Sequence, residues 1–264
     1  MKPETKALAV VVIPARDYIT GLIPGRSRSC YNLRVGNTPP LFYRCAKALL
    51  YVGSKLVFRI THEGVENIPR EGGLFIASNH ASHLDPPLVG IGVPRQVTYV
   101  AKQELAGSRF LKWFMRKVDT ILIDRSRGRG ALDQTIERLE KGQAVIFFPE
   151  GTRTRTGRLN RGRRGAAVIV LKSGATVVPT CIVGSHECFP PGAKLPRPGK
   201  VTVRFGPPLT FKKVDREEIP PELLDSTLRQ IMDAIEDLLP ERMRPKAEEK
   251  RDWYTREDAA NETK

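Results

Sequence analysis

Apolar and polar positions follow two rhythms along this chain. Short apolar runs recur at Leu74–Ala77, Val97–Val100, Thr120–Ile123, Ala144–Phe148, Val177–Ile182 and Val201–Phe205. Each is the length of a strand and is bounded by turn-forming or charged residues. Between them, Gln103–Lys117, Gly130–Lys141 and Arg161–Lys172 read as helices, the second placing Leu132, Ile136 and Leu139 at helical spacing. A last helix, about Pro221 to Leu239, sets Leu224, Leu228, Ile231, Ile235 and Leu238 on one stripe. Alternation of this kind predicts a single α/β domain built on a largely parallel mixed sheet flanked by helices.

An amphipathic segment precedes the first strand. Wound at about 100° per residue, Leu41–Ile60 gathers Arg44, Lys47, Ser54, Lys55 and Arg59 within an arc of roughly 140°. Leu49, Leu50, Val52, Leu56, Val57 and Ile60 lie on the other side. A basic face opposite an apolar one suits a helix lying in the plane of a membrane surface. It equally suits a helix that packs its apolar side on the protein's own core, and the pattern leaves both open. The expected organisation is an irregular segment at 1–40, this helix at 41–60, the α/β domain at 61–239 and a charged flexible tail at 240–264.

Composition narrows the partners. Hydrophobic residues make up 40% of the 264 residues, which supports an ordinary core and argues against global disorder. The formal charge is +15, and residues 1–60 together with residues 125–164 account for all of it. Clustered positive charge favours a polyanion: nucleic acid, a phospholipid surface or a phosphorylated substrate. No aromatic-interleaved platform or groove-reading motif accompanies the charge, so nucleic acid is not expected. Cys30, Cys45, Cys181 and Cys188 form no paired spacing and read as free thiols of a reducing compartment. No run reaches the 18 or more apolar residues of a spanning helix. Ala7–Ile13 resembles the apolar part of a signal peptide, but Pro14, Arg16 and Asp17 follow it without a clear cleavage site. The expected location is the cytoplasmic face of a membrane, peripheral or monotopic.

Chemistry concentrates at strand ends. Directly after the Leu74–Ala77 strand comes Ser78-Asn-His-Ala-Ser-His-Leu-Asp-Pro-Pro87, where ligands of α/β sheets gather. His80 can take a proton near neutral pH, and Asp85 can orient its ring. Pro86 and Pro87 disfavour helical geometry at Asp85, so a turn must bring the pair together. Asp85 can also serve as an N-cap with proline behind it. His80, His83 and Asp85 supply only three potential metal ligands in one turn, and no metal is expected. There is no GxSxG elbow for Ser78 or Ser82. With a base and no protein nucleophile, the hydroxyl to be activated belongs to a substrate, the logic of acyl transfer to an alcohol. Two further strands end in Asp124-Arg125 and in Pro149-Glu-Gly-Thr-Arg153, and six arginines lie between Arg153 and Arg164 with no acid among them. Arginine suits phosphate, and Gly151 lets backbone amides approach an anion.

Taken together, Asn79-His80-x4-Asp85, Ile123-Asp124-Arg125, Phe148-Pro149-Glu150-Gly151-Thr152-Arg153 and Val178-Pro179 resemble the ordered motifs of glycerolipid acyltransferases. The similarity is greatest to 1-acyl-sn-glycerol-3-phosphate acyltransferases, covers about residues 55–215, and includes Ala101-Lys-Gln-Glu-Leu105 as a lesser feature. The resemblance implies His80 as base, Asp85 as its partner, Arg125 and Arg153 on the acceptor phosphate, and Glu150, Gly151 and Thr152 around the pocket. It implies lysophosphatidic acid as acceptor and acyl-CoA or acyl-carrier protein as co-substrate, with no bound cofactor. An anionic membrane surface is the expected further partner. Rival readings are an acyltransferase for another glycerolipid or lysophospholipid, and a non-catalytic basic membrane-binding module.

Overall fold

The computed structural model describes residues 39–103, 107–123, 128–215, 218–251 and 253. A long helix, α1 (Leu41–Phe58), leads into seven strands: β1 (Thr61–Glu63), β2 (Leu74–Ser78), β3 (Val97–Lys102), β4 (Thr120–Ile123), β5 (Ala144–Phe147), β6 (Thr176–Val183) and β7 (Thr202–Phe205). Helices α2 (Asp85–Gly92), α3 (Arg109–Lys117), α4 (Gly128–Glu140), α5 (Gly165–Ser173), α6 (Ser185–Cys188), α7 (Pro221–Leu238) and α8 (Ala247–Arg251) fill the connections and the C-terminal end.

The strands form one sheet in the order β1-β7-β6-β2-β5-β3-β4. Five run parallel, β7 is antiparallel to β6, and β1 pairs parallel to β7. This is the expected α/β architecture with a largely parallel mixed sheet and a leading helix. Strand β2 lies at its centre with all five residues buried. Because side chains alternate across a strand, Phe75 and Ala77 join a core under α5 and α7, while Leu74 and Ile76 join another under α2.

Three expectations change. The prolines after Asp85 do not keep it out of a helix: Asp85 opens α2, and its carboxylate caps no α2 amide. Pro86 and Pro87 sit in the first turn, where their missing N–H groups would have no intrahelical partner anyway. The stretch after Leu239 is not all flexible tail. Met243 and Trp253 are buried in the core beneath α7, with Trp253 only 7% exposed. Finally, the sheet gains β1, a strand too short to carry a readable alternation in the sequence.

Helix α1 resolves the choice that its pattern left open. Part of its polar arc faces the protein: Ser54 is buried and the Lys47 ammonium donates to the Val93 carbonyl, while Arg44, Lys55 and Arg59 are exposed. Its apolar arc faces outward, with Leu41, Leu49 and Leu56 at 73%, 76% and 77% exposure. Among the described residues these leucines pack on no core, and of the arc only Ile60, beyond the end of the helix, is buried. Phe42 meets Trp113 of α3 edge-on at 5.5 Å, extending the exposed apolar surface across two helices. Among the described residues no helix is long and apolar enough to cross a membrane.

Candidate active site

Strands β2, β5 and β6 are mutually parallel, so their C-terminal ends share one edge, and the turn after β2 meets the turn after β5 there. The β2 turn is pinned from three sides. Asn79 extends the ladder by its side chain, donating to the Ile182 carbonyl at 3.1 Å and accepting from the Ile182 amide at 2.8 Å. Ser82 donates its hydroxyl proton to the Phe189 carbonyl at 2.8 Å. The Thr154 amide donates to the His80 carbonyl at 2.8 Å.

Inside this turn, His80 Nδ1 lies 2.9 Å from Asp85 Oδ2. The same carboxylate oxygen accepts the Ala81 and Ser82 amides at 2.6 and 2.7 Å. Because Oδ2 is the acceptor of two amides, the ring contact is most simply a donation from Nδ1–H. Nε2 is then left with its lone pair, the tautomer required of a general base. Asp85 is wholly buried and the His80 side chain is 17% exposed, so the carboxylate is dry and the imidazole reaches the surface. Phe148 stacks on the imidazole at 4.2 Å between ring centroids and fixes its plane.

Glu150 occupies an unexpected position. It is 2% exposed, and its two oxygens accept the His80 amide at 2.6 Å and the Asn160 amide at 2.9 Å. Burial pushes its carboxyl up to about 8, against the hydrogen bonds from His80 and Asn160 that lower it. A carboxylate so enclosed offers little to a substrate, and it ties the β2 turn to the loop after β5. Gly151 next to it sits at φ 67°, where an added Cβ would come within 2.9 Å of the Arg163 side chain. Thr152 is exposed on the same loop.

Of the expected anion binders, Arg153 is half-buried close enough to His83 to lower that ring's affinity for a proton, after the larger effect of burial. Among the described residues it has no carboxylate partner. Arg125 lies outside the described residues; β4, which precedes it, is three strands from β2, roughly 14 Å at sheet spacing. The basic run also divides. Arg164 is held by Asp225 through two 2.7 Å contacts, and Arg158 donates to the Arg244 carbonyl, so these two are structural. Among the described residues no three His, Cys, Asp or Glu side chains gather as metal ligands. Sequence reasoning gave no role to Asn79 or Phe148, although both stood inside quoted motifs. It missed Asn160 altogether, because a backbone amide leaves no mark on residue type.

The family model described as Acyltransferase matches residues 59–183. The 1-acyl-sn-glycerol-3-phosphate acyltransferase of Bacillus subtilis is 32% identical over 146 residues, 54% of this chain and 70% of that one. The chloroplastic 1-acyl-sn-glycerol-3-phosphate acyltransferase LPAT1 of Arabidopsis thaliana is 31% identical over 164 residues, 60% of this chain; the chain spans 46% of that relative's length. The crystal structure of PlsC, the 1-acyl-sn-glycerophosphate acyltransferase of Thermotoga maritima, superposes with a TM-score of 0.58 at 29% identity. That match covers 75% of this chain and 76% of the other.

Proposed function

This chain belongs to the acyltransferase family, and from that premise we propose that it acylates the sn-2 hydroxyl of 1-acyl-sn-glycerol-3-phosphate, forming phosphatidic acid. The observation that carries the reading is the His80–Asp85 pair, with the ring's second nitrogen unspent and, among the described residues, no protein nucleophile beside it. Both serines of the turn are buried, and Ser82 has already given its proton to a carbonyl.

His80 Nε2 takes the proton of the acceptor hydroxyl as its oxygen attacks the carbonyl carbon of an acyl thioester. The imidazolium that forms is stabilised by Asp85. The tetrahedral oxyanion collapses, the carbon–sulfur bond breaks, and the imidazolium returns the proton from Nε2 to the departing sulfur, which leaves as the thiol. The base returns to its starting state, so nothing is consumed but donor and acceptor. Glu150 serves as a positioning residue that holds the His80 backbone, not as a ligand of the acceptor. Arg153, together with Arg125 of the Ile123-Asp124-Arg125 motif, holds the acceptor phosphate as a guanidinium clamp. Acyl-CoA or acyl-carrier protein supplies the thioester.

The acceptor carries one acyl chain and resides at a bilayer, so the enzyme must reach it from the surface. The outward apolar arc of α1 and the apolar ring pair Phe42–Trp113 support an interfacial position for this side of the molecule. Activity of the purified chain on a panel of acceptors and donors tests the reading. Turnover of lysophosphatidate well above that of glycerol 3-phosphate, other lysophospholipids and monoacylglycerol is the expected result. Preference for another acceptor would replace the substrate, and no acyl transfer to any of them would end the proposal.

A further inference from the structure

A cavity of about 450 Å³ opens between α1 and the segment that follows α2. It lies at the opposite end of α2 from Asp85, about 12 Å away at 1.5 Å per helical residue. Arg44, Lys47 and Arg95 bring three cations to its wall, Tyr43 and Tyr51 contribute phenol rings, and among the described residues no Asp or Glu lines it. Two of the cations are fixed. Arg95 donates to the carbonyls of Pro69, Gly72 and Gly142, and Lys47 donates to that of Val93. Burial lowers the pKa of the Lys47 ammonium, so part of its hydration has been removed with no acid to replace it. An ammonium has three donors and an exposed guanidinium has five, so Lys47 and Arg44 retain capacity for an anion.

The position of the cavity on α1 indicates which anion. At about 100° per residue, Tyr43 and Lys47 lie on the core-facing side of α1, and Tyr51, Arg44 and Ala48 continue in that order around the helix toward its outward arc. Ala48 and the exposed Leu41 are only about 20° apart around the axis. The mouth therefore opens beside the exposed apolar surface. With that surface at the acyl boundary of a bilayer, the mouth is level with the headgroups.

We propose that this cavity is a second anion site, distinct from the His80 turn, which takes the phosphate of an anionic phospholipid headgroup from the leaflet on which α1 rests. The site rests on the interfacial reading of α1 given above. It would fix the rotation of the helix on the bilayer, where apolar burial alone leaves the helix free to roll.

The test uses the full chain and three substitutions that each lower the charge of α1 by one. Arg44→Ala and Ala48→Glu alter the cavity wall, while Lys55→Ala lies outside it. All three leave the Lys47–Val93 contact in place, and unchanged thermal unfolding checks the fold. Binding is measured on phosphatidylcholine vesicles with and without phosphatidylglycerol, at low salt and at about 0.5 M salt, where diffuse surface attraction is screened. We expect Arg44→Ala and Ala48→Glu to remain roughly tenfold weaker than wild type on phosphatidylglycerol vesicles in high salt, with Lys55→Ala equal to wild type. All four proteins should bind pure phosphatidylcholine alike. Equal losses for Lys55→Ala and the cavity variants would reduce the site to diffuse charge and overturn it. Displacement of wild type by inorganic phosphate at constant ionic strength, down to the level of Ala48→Glu, would make free phosphate the occupant and overturn the lipid assignment. A wild-type chain that ignores both kinds of vesicle would overturn the interfacial reading itself, and this site with it.

Discussion

Asp85 Oδ2 stands 2.9 Å from His80 Nδ1 while holding the Ala81 and Ser82 amides, so the carboxylate beside the imidazole also fastens the turn that carries it. Orientation and local fold share one oxygen. His80→Ala is expected to lose acyl transfer by roughly 10²–10⁴-fold with its thermal unfolding unchanged. Asp85→Asn should lose activity to a similar extent and also unfold more easily, by about 1–3 kcal/mol, because its amide can no longer accept all three donors equally well. Folded His80→Ala protein with wild-type turnover would remove the proposed mechanism.

The Glu150 carboxyl is raised from its ordinary 4.5 to about 8 by burial. The folded state therefore holds this proton more tightly than the unfolded chain does. Its contribution to stability is fully present below about 4.5 and is lost progressively as pH rises through about 8. Glu150→Gln, with no proton to lose, should flatten that stretch of the stability curve while lowering stability overall, since its amide faces a backbone donor. Denaturant midpoints of both proteins across this range check it. Parallel pH curves would show that Glu150 ionises normally when folded.

Arg153→Ala should weaken use of lysophosphatidate about 10–100-fold, the loss of a charge-assisted contact of about 1.5–3 kcal/mol. Turnover of a non-phosphorylated acceptor should change little. Steady-state kinetics on both acceptors decide the matter, with the effect expected chiefly in KM. Equal losses on the two would make Arg153 a structural residue or a donor contact.

Leu49 and Leu56 make almost no use of the fold, being 76% and 77% exposed. Leu49→Glu with Leu56→Glu should therefore leave Tm within a few degrees of wild type, as about 0.5 kcal/mol or less is at stake at such surface positions. Vesicle binding and activity on vesicle-borne acceptor should fall together, while activity on a short-chain soluble acceptor persists. Loss on both acceptors alike would mean that α1 serves the site by some route other than the bilayer.

Much of this was legible in residue order. Leu74–Ala77, Ala144–Phe148 and Val177–Ile182 are near-continuous apolar runs because they lie at the centre of a parallel sheet covered on both faces. That pattern needs no partner to be read. His80 and Asp85 were legible for a related reason. An imidazole and a carboxylate at the end of a strand are recognisable by type, and the four residues between them are few enough for one turn to close. Tertiary structure decided what type and spacing do not encode. The apolar arc of α1 has the same composition whether it faces a core or open space, and only the placement of Ser54 and Lys47 against the protein chooses. Strand β1 has three residues, too few to display a period, and it exists because Thr61–Glu63 find Thr202–Arg204 alongside. Glu150 looks like any charged loop residue until the His80 and Asn160 amides converge on it, 70 and 10 positions away along the chain. A hydrogen bond to backbone carries no side-chain signature on the donor's side, so the role of that carboxylate was fixed only when the chain closed around it.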